Sequence, residues 1–242
     1  MDKEVVLLDK YRIPVGDHGY VYLKDWMGTD LSPVNDAKVS FDKESDELGE
    51  REKRLIDYLA KHQHTSPFRH SILKFEVYAP LMVARQWWKH VIGSEHGEGF
   101  DRMTAWNESS RRYITEEPTF HIPGEDAWRS VPENRKQGSG ADLPKEVGAE
   151  YTKSLRNHVE EGLKLYEEAL ENGVCPEQAR LFLPAYGLYV RWVWTGSLQA
   201  IAHFLKLRLD EAAQKEIRDY AEAVETLAKE KFPYSLEALL KY

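Results

Sequence analysis

The chain has one cysteine, Cys175, in 242 residues. That excludes a disulfide framework and any zinc site built on cysteines. Cys175 precedes Pro176 with no histidine nearby, so it reads as structural. No apolar run reaches the roughly 18 residues of a membrane helix. Met1-Asp2-Lys3-Glu4 lacks the features of a secretory leader. A cytoplasmic location and no membrane partner are therefore expected. Excess positive charge is missing too: 33 Lys and Arg stand against 41 Asp and Glu, a formal charge of −8. A broad nucleic-acid surface needs the opposite balance, so no nucleic-acid polymer is expected. The Gly-Lys-Ser/Thr phosphate loop, the Gly-x-Gly-x-x-Gly turn and the His-Glu-x-x-His helix are all absent. His62, His64, His70, His90 and His96 fall in no recognised ligand spacing, and no metal is expected.

What is present is concentrated in Arg85 to Tyr113. Arg-Gln-Trp-Trp-Lys-His is followed by a glycine-broken loop and then by Trp-Asn-Glu-Ser-Ser-Arg-Arg-Tyr. Cations, carboxylate, hydroxyls, amides and aromatics in one window suit a flat heterocycle and a phosphate better than a core segment. Elsewhere, the seven Trp and thirteen Tyr are mostly core and interface packing.

The length and 42% hydrophobic content fit a single domain. Residues 4–8 and 20–23 read as short strands, separated by a turn around Pro14, Gly16 and Gly19. Asp30 or Ser32 caps a short helix with Pro33 in its first turn. Val39-Ser-Phe is extended. Residues 50–62 form a helix with Leu55, Tyr58 and Leu59 on one stripe. Residues 72–78 alternate as a strand. Pro80 opens a helix to about Val91. Arg112 to Thr115 is extended, and 121–145, rich in Pro and Gly, is a surface loop open to a lid role or to disorder. Residues 146–172 form a long helix with Tyr151, Leu155, Val159, Leu163, Tyr166 and Leu170 inward, closed by Gly173. Pro176 starts a helix cut by Pro184. Leu188 to Trp194 is apolar and aromatic. Residues 197–209, 210–229 and the tail from Phe232 are helical. The order implies an α+β fold, an antiparallel sheet flanked by helices.

On the helix after Pro80, Gln86, Lys89 and His90 lie at i, i+3 and i+4 and would share a face able to read a base edge and an anion. A solvent-facing polar stripe is the better reading of that helix alone. Glu108, Ser110 and Arg112 shift the balance, because Arg112 can fork onto phosphate or a carbonyl beside a glycine-rich loop where backbone approaches a ligand closely. Arg180 and Arg208 each stand among apolar residues. A buried Arg needs an anion; a structural salt bridge is the equal alternative for each. Gln199, His203 and Lys206 share another helical face.

These residues resemble the flavin-dependent thymidylate synthases, from about Gly19 to the C-terminus. The matching segments are Val21 to Phe41 (with Met27-Gly, Asp30 and Ala37-Lys-Val-Ser-Phe), His64-Thr-Ser-Pro-Phe-Arg-His70, Arg85-Gln-Trp-Trp-Lys-His, Asn107-Glu-Ser-Ser-Arg-Arg-Tyr113, Ala179 to Pro184, His203 to Arg208, and Phe232-Pro to Glu237. The resemblance implies a single domain over 1–242, with 1–18 as an extension. It implies the fold of the thymidylate synthase-complementing proteins, assembled as a homotetramer with shared active sites. It further implies reductive methylation of dUMP to dTMP with methylenetetrahydrofolate, FAD and NADPH. Carried over by position, Gln86, Glu108, Ser110, Arg112, Arg180 and Arg208 would bind dUMP. His64, Ser66, Lys89, His90, Glu108, Ser197 and His203 would bind FAD. Arg208, Ser110 and His64 would serve the chemistry, with Arg208 polarising the uracil, Ser110 a substrate ligand rather than a nucleophile, and His64 near the folate.

Four departures fall near the expected flavin site. The family's Arg-His-Arg is Lys89-His90-Val91, the glutamate of its Pro-Phe-Glu-His segment is Arg69, a glycine-rich insertion lies within 92–106, and an Asn-x-Arg pair is Ser197 and Gln199. They leave two alternatives open: a related C5 modification such as hydroxymethylation, or a nucleotide-binding homologue without catalysis.

Overall fold

The computed structural model describes residues 10–39, 43–90, 117–133 and 138–242, and the backbone alone of 105–108. Among these, five strands form one antiparallel sheet: β1 (Arg12–Val15), β2 (Gly19–Met27), β3 (Ile72–Pro80), β4 (Ala105–Glu108) and β5 (Tyr189–Ser197). Their spatial order is β1-β2-β3-β5-β4. The α+β expectation is met. β3 and β5 pair along their full lengths, from Ile72 opposite Ser197 to Pro80 opposite Tyr189. β3 buries Leu73, Phe75, Val77 and Ala79 in strict alternation, the period-2 pattern that sorts one face into the core.

The first strand differs from expectation. Residues 12–15 were to be part of a turn, yet they pair with 19–22 across a bend in which Gly16 takes φ +61°. Pro14 is tolerated because β1 is an edge strand, where a missing N–H costs no inner ladder bond. Part of the stretch expected to be an extension thus belongs to the sheet. The expected strand at 4–8, residues Ser40 and Phe41, and the extended piece at 112–115 lie outside the described residues.

Helices α1 (Leu31–Lys38), α2 (Glu50–Lys61), α6 (Leu198–Arg208), α7 (Lys215–Lys229) and α8 (Pro233–Lys241) accompany the sheet. Phe204, Leu205, Ile217, Val224, Leu227, Phe232 and Leu236 join Phe75, Val77, Trp192 and Trp194 in one continuous core. Asp30 ties two of these helices together, accepting from the backbone N–H groups of Tyr234 (3.0 Å) and Ser235 (2.8 Å) at the start of α8. On α2, Leu59 is buried as expected, but Ile56 and Ala60 join it. Tyr58 is 52% exposed and packs instead, tilted, against His62.

Two further helices complete the fold, the first buried in the same core through Val83, Ala84 and Trp87 and the second less enclosed. α3 (Leu81–Trp87) is a short helix following β3. α4 (Lys145–Glu171) is the long helix, followed by the turn α5 (Pro176–Ala179) and a 3-10 turn over Arg180–Phe182. α4 rests on a small separate core of Phe120, Val159 and Leu183, with Leu155, Leu163 and Tyr166 packed around it. Tyr151, expected inward, is 53% exposed and meets Trp128. No helix among the described residues is long and apolar enough to cross a membrane.

Candidate active site

Trp87 fixes the geometry of the site. Its ring stacks on Phe204 (4.5 Å between centroids) and meets Trp192 (5.4 Å) and Trp194 (5.3 Å) edge-on. It is 1% exposed. Truncating such a ring costs about 3–5 kcal/mol, so the end of α3 is held firmly against β5 and α6. α3 stops there. Trp88 N–H makes the last helical bond, to Ala84, and His90 N–H closes a tighter turn onto Trp87. The expected helix to Val91 is therefore cut short, and Gln86, Lys89 and His90 do not share a helical face. Lys89 is exposed, while His90 turns back towards α6, its ring 5.1 Å from Phe204 and 6.1 Å from His203.

That turn creates a long-range polar contact at the site. Arg208 Nε donates to His90 Nε2 at 2.9 Å. The acceptor must be an unprotonated ring nitrogen. Burial, then the neighbouring Arg208 charge and His203, hold the His90 pKa down at about 4, so the ring is neutral at pH 7. Burial also lowers the pKa of Arg208, but a guanidinium stays charged. Nε is thus engaged, and no partner for the two terminal nitrogens is seen among the described residues.

Arg208, Gln86, Gly138, Lys206, Asp210 and Gln214 line one cleft of about 500 Å³, within the size range of small-molecule sites. Gln86 and Arg208, both assigned to the substrate from sequence, are thus brought together although 122 positions apart (208 − 86). Lys206 adds a second cation. Gln214 was not singled out from sequence: its partners are distant in the chain, and a lone glutamine ahead of a helix carries no local signal.

Of the flavin candidates, His90 is thus engaged by Arg208, with His203 close by, while Ser197, His64 and Ser66 lie further off. Ser197 caps α6, its Oγ accepting from Ala200 N–H at 3.2 Å, and is buried. Arg208 is at the other end of that helix, about 16 Å away by helical rise. His203 lies between them. His64 and Ser66 are exposed, beside a 3-10 turn (Ser66–Arg69) that contacts α6. At this junction Leu198 N–H donates to Ser71 O at 2.8 Å. Three buried polar atoms nearby have no hydrogen-bond partner among the described residues: Arg69 Nε, Ser71 Oγ and Gln199 Oε1. Buried polar groups are rarely left so. Each could be satisfied by a polar group from outside the chain, and the hydroxylated, phosphorylated tail of a flavin carries such groups.

Arg180 corrects another expectation. It is exposed, not buried among apolar residues, and its Nε donates to Glu177 O at 3.2 Å. Its apolar neighbours are themselves outside: Leu181 is 81% exposed and Phe182 47%. It does not line the Arg208 cleft. Glu108 ends β4, opposite Trp192, with its backbone alone described. Ser110 and Arg112 lie outside the described residues, as does the 92–106 insertion except for Ala105 and Trp106. Cys175 is exposed. Among the described residues no group of three or more His, Cys, Asp or Glu could hold a metal.

A fold with a buried tryptophan cluster beneath an arginine–histidine pair narrows the class, and comparison with known proteins names it. Residues 23–234 match the thymidylate synthase complementing protein family, and the chain belongs to that family. Among its relatives, the flavin-dependent thymidylate synthase of Thermotoga neapolitana is 39% identical over 232 residues, 96% of this chain and 95% of the relative. That of Thermus thermophilus is 40% identical over 227 residues, 93% of this chain and 77% of the relative. Among solved structures, the UMP/dUMP methylase PolB from Streptomyces cacaoi, bound with 5-Br UMP, superposes with a TM-score of 0.78. It is 26% identical, with 95% of this chain and 96% of that chain covered.

Proposed function

We propose that this protein is a flavin-dependent thymidylate synthase, converting dUMP to dTMP with methylenetetrahydrofolate as carbon donor, FAD as cofactor and NADPH as reductant, in the cytoplasm. The observation that carries the reading is the Arg208–His90 pair in a cleft shared with Gln86 and Lys206. Relatives at 39% and 40% identity bear the name of this activity.

The residues have distinct tasks. Arg208 places fixed positive charge where a uracil carbonyl would gain negative charge as C5 becomes nucleophilic. A preorganised cation at such a point lowers the barrier without reorganisation cost. Neutral His90 orients the guanidinium through Nε, so that the terminal nitrogens would face the nucleotide. Lys206 contributes a second charge for a phosphorylated ligand. Arg69, Ser71 and Gln199, with His64, Ser66 and His203 around the same junction, would hold the flavin; when bound, the flavin supplies the hydride equivalent that reduces the transferred carbon. Lys89, Glu108, Ser110 and Arg112 complete the sites as the family pattern assigns them. Ser197 is engaged in capping α6, so its part at the flavin would be to fix the helix that carries His203.

Arg180 stays apart from Arg208 in one chain, beside exposed Leu181, Phe182 and Tyr186. This supports a homotetramer in which a neighbouring copy supplies Arg180 to the nucleotide. The test is a flavin absorbance spectrum with and without dUMP, followed by product mass from dUMP and from UMP with methylenetetrahydrofolate and NADPH. Bound flavin, a dUMP-dependent spectral change and dTMP are expected. No flavin binding and no dTMP would overturn the reading, and a hydroxymethyl product would move it to the sister reaction.

A further inference from the structure

A chain of four side chains runs from the 117–133 segment to the nucleotide cleft. Arg129 pairs with Glu216 Oε1. Gln214 Nε2 donates to Glu216 Oε2 at 2.7 Å. Gln86 Nε2 donates to Gln214 Oε1 at 2.5 Å and to the Met82 backbone oxygen at 3.3 Å. The direction of every bond is forced. A guanidinium only donates and a carboxylate only accepts, so the Gln214 amide nitrogen must face Glu216. Its carbonyl then faces Gln86 and takes one amide hydrogen. The Met82 carbonyl, also an acceptor only, takes the other. What Gln86 has left for a ligand is its oxygen. Without such an anchor, a carboxamide could rotate and present either end.

The anchor is itself fixed. Burial raises the pKa of Glu216, but its bonds from Arg129 and Gln214 outweigh this and leave the pKa below the usual carboxylate value. Arg129 is held by its segment, in which Ser130 N–H donates to Ala141 O (2.8 Å) and Leu143 N–H to Trp128 O (2.7 Å). Trp128 Nε1 donates to Thr152 Oγ1 of α4 at 2.8 Å. The Pro- and Gly-rich stretch expected to be a loop therefore has a specific attachment to the site.

We infer that Gln214 is a positioning residue, oriented by the Arg129–Glu216 ion pair, which locks Gln86 as a hydrogen-bond acceptor and so selects nucleotides that present a donor at that point. The inference rests on the proposed nucleotide function of Gln86. Two groups of dUMP could supply the donor: the ring N3–H and the sugar 3′-hydroxyl. A phosphate oxygen cannot, because it only accepts. Cytosine, with an unprotonated N3, would be rejected if the ring is what Gln86 reads.

The test measures dUMP, N3-methyl-dUMP and 2′,3′-dideoxy-UMP binding, and dUMP turnover, in the flavin-loaded enzyme and in Glu216→Gln and Gln214→Met. A neutral amide at 216 keeps the shape but frees the relay to reverse. Expected is a roughly fivefold to tenfold rise in the KM for dUMP in each variant, the worth of one hydrogen bond, with kcat nearly unchanged. One of the two analogues binds the wild type weakly, and this discrimination shrinks in both variants. Whichever analogue is penalised identifies the donor. Gln214→Glu, whose carboxylate only accepts, should keep Gln86 oriented and preserve discrimination, and Glu216→Asp should preserve it in part. The unfolding midpoint of each variant separates loss of fold from loss of orientation. If all variants keep wild-type discrimination, or neither analogue is penalised while dUMP binds, the inference is overturned. If the wild type does not bind dUMP at all, it is the functional reading that fails.

Discussion

Arg208 and Arg180 are assigned to the same ligand, yet the chain treats them differently. Arg208 closes a helix whose inner face is buried, and a histidine accepts from its Nε. Arg180 sits on a short turn between Pro176 and Pro184, exposed, its Nε bonded to a backbone oxygen. The difference follows from the cores beneath. α6 lies on the tryptophan cluster and the sheet. The Arg180 turn and α4 share only the small core around Phe120, Val159 and Leu183. A side chain on the first surface is preorganised by its own chain; one on the second needs something else to define its position. The contrast suggests a site assembled from parts of unequal rigidity.

The largest expected effect breaks the Arg208 side. Arg208→Ala should lower kcat/KM for dUMP by roughly a hundredfold to a thousandfold, in line with losing a preorganised donor at a developing charge. Assay of dTMP formation, with flavin content checked, measures it. Arg180→Ala should lower the same quantity by roughly ten- to a hundredfold, as for an uncompensated charge contact to a bound anion. Here the contrast sharpens: if Arg180 acts on a neighbouring copy, mixing and reassembling the impaired Arg180→Ala and Arg208→Ala subunits should give more activity than the sum of the two alone. Absence of any recovery in reassembled mixtures would place both arginines in one chain's site.

Replacing His90 by Leu should cost about tenfold in kcat/KM, from the loss of one hydrogen bond that orients Arg208. It has a second readout. His90 has a folded pKa of about 4 against an ordinary 6.5, so between those values the unfolded chain binds the proton and the folded chain does not. Stability contributed by the neutral ring is complete above about pH 6.5 and is lost as pH falls, by up to roughly 3 kcal/mol at pH 4. Denaturant unfolding between pH 7.5 and 4.5 should show a shallower decline in His90→Leu than in the wild type. Equal slopes would mean that His90 is not held neutral by its surroundings.

Much of the better-packed half was legible in the sequence. β3 announces itself by alternation, and α6 was read as helical from residue 197, which the structure shows to be its cap. α4 was recognisable as a helix because length and periodicity suffice for that, but its degree of cover was not. Tyr151 falls on the apolar stripe and is still half in solvent, since periodicity says which face is apolar and nothing of what covers it. The error at Arg180 has the same origin: Leu181 and Phe182 suggested burial and are exposed. The end of α3 was missed for a different reason. Nothing local stops a helix at Trp87; the packing of that ring against residues more than a hundred positions away does. Gln214 was invisible from sequence because its meaning lies in Gln86, 128 positions away. The Pro14 strand was read as a turn because Pro and Gly mark turns locally, and only sheet order reveals an edge.

The central claim is that Arg208, oriented by His90, drives methylation of dUMP in a flavin-loaded enzyme. It is tested most directly by single-turnover conversion of dUMP with methylenetetrahydrofolate and reduced flavin, comparing the wild type with Arg208→Ala at saturating nucleotide. The account expects dTMP from the wild type, and from the variant a chemical step slowed by at least roughly a hundredfold even when dUMP is bound. Equal rates at saturation, or a wild type that binds dUMP and flavin yet forms no methylated product, would contradict it.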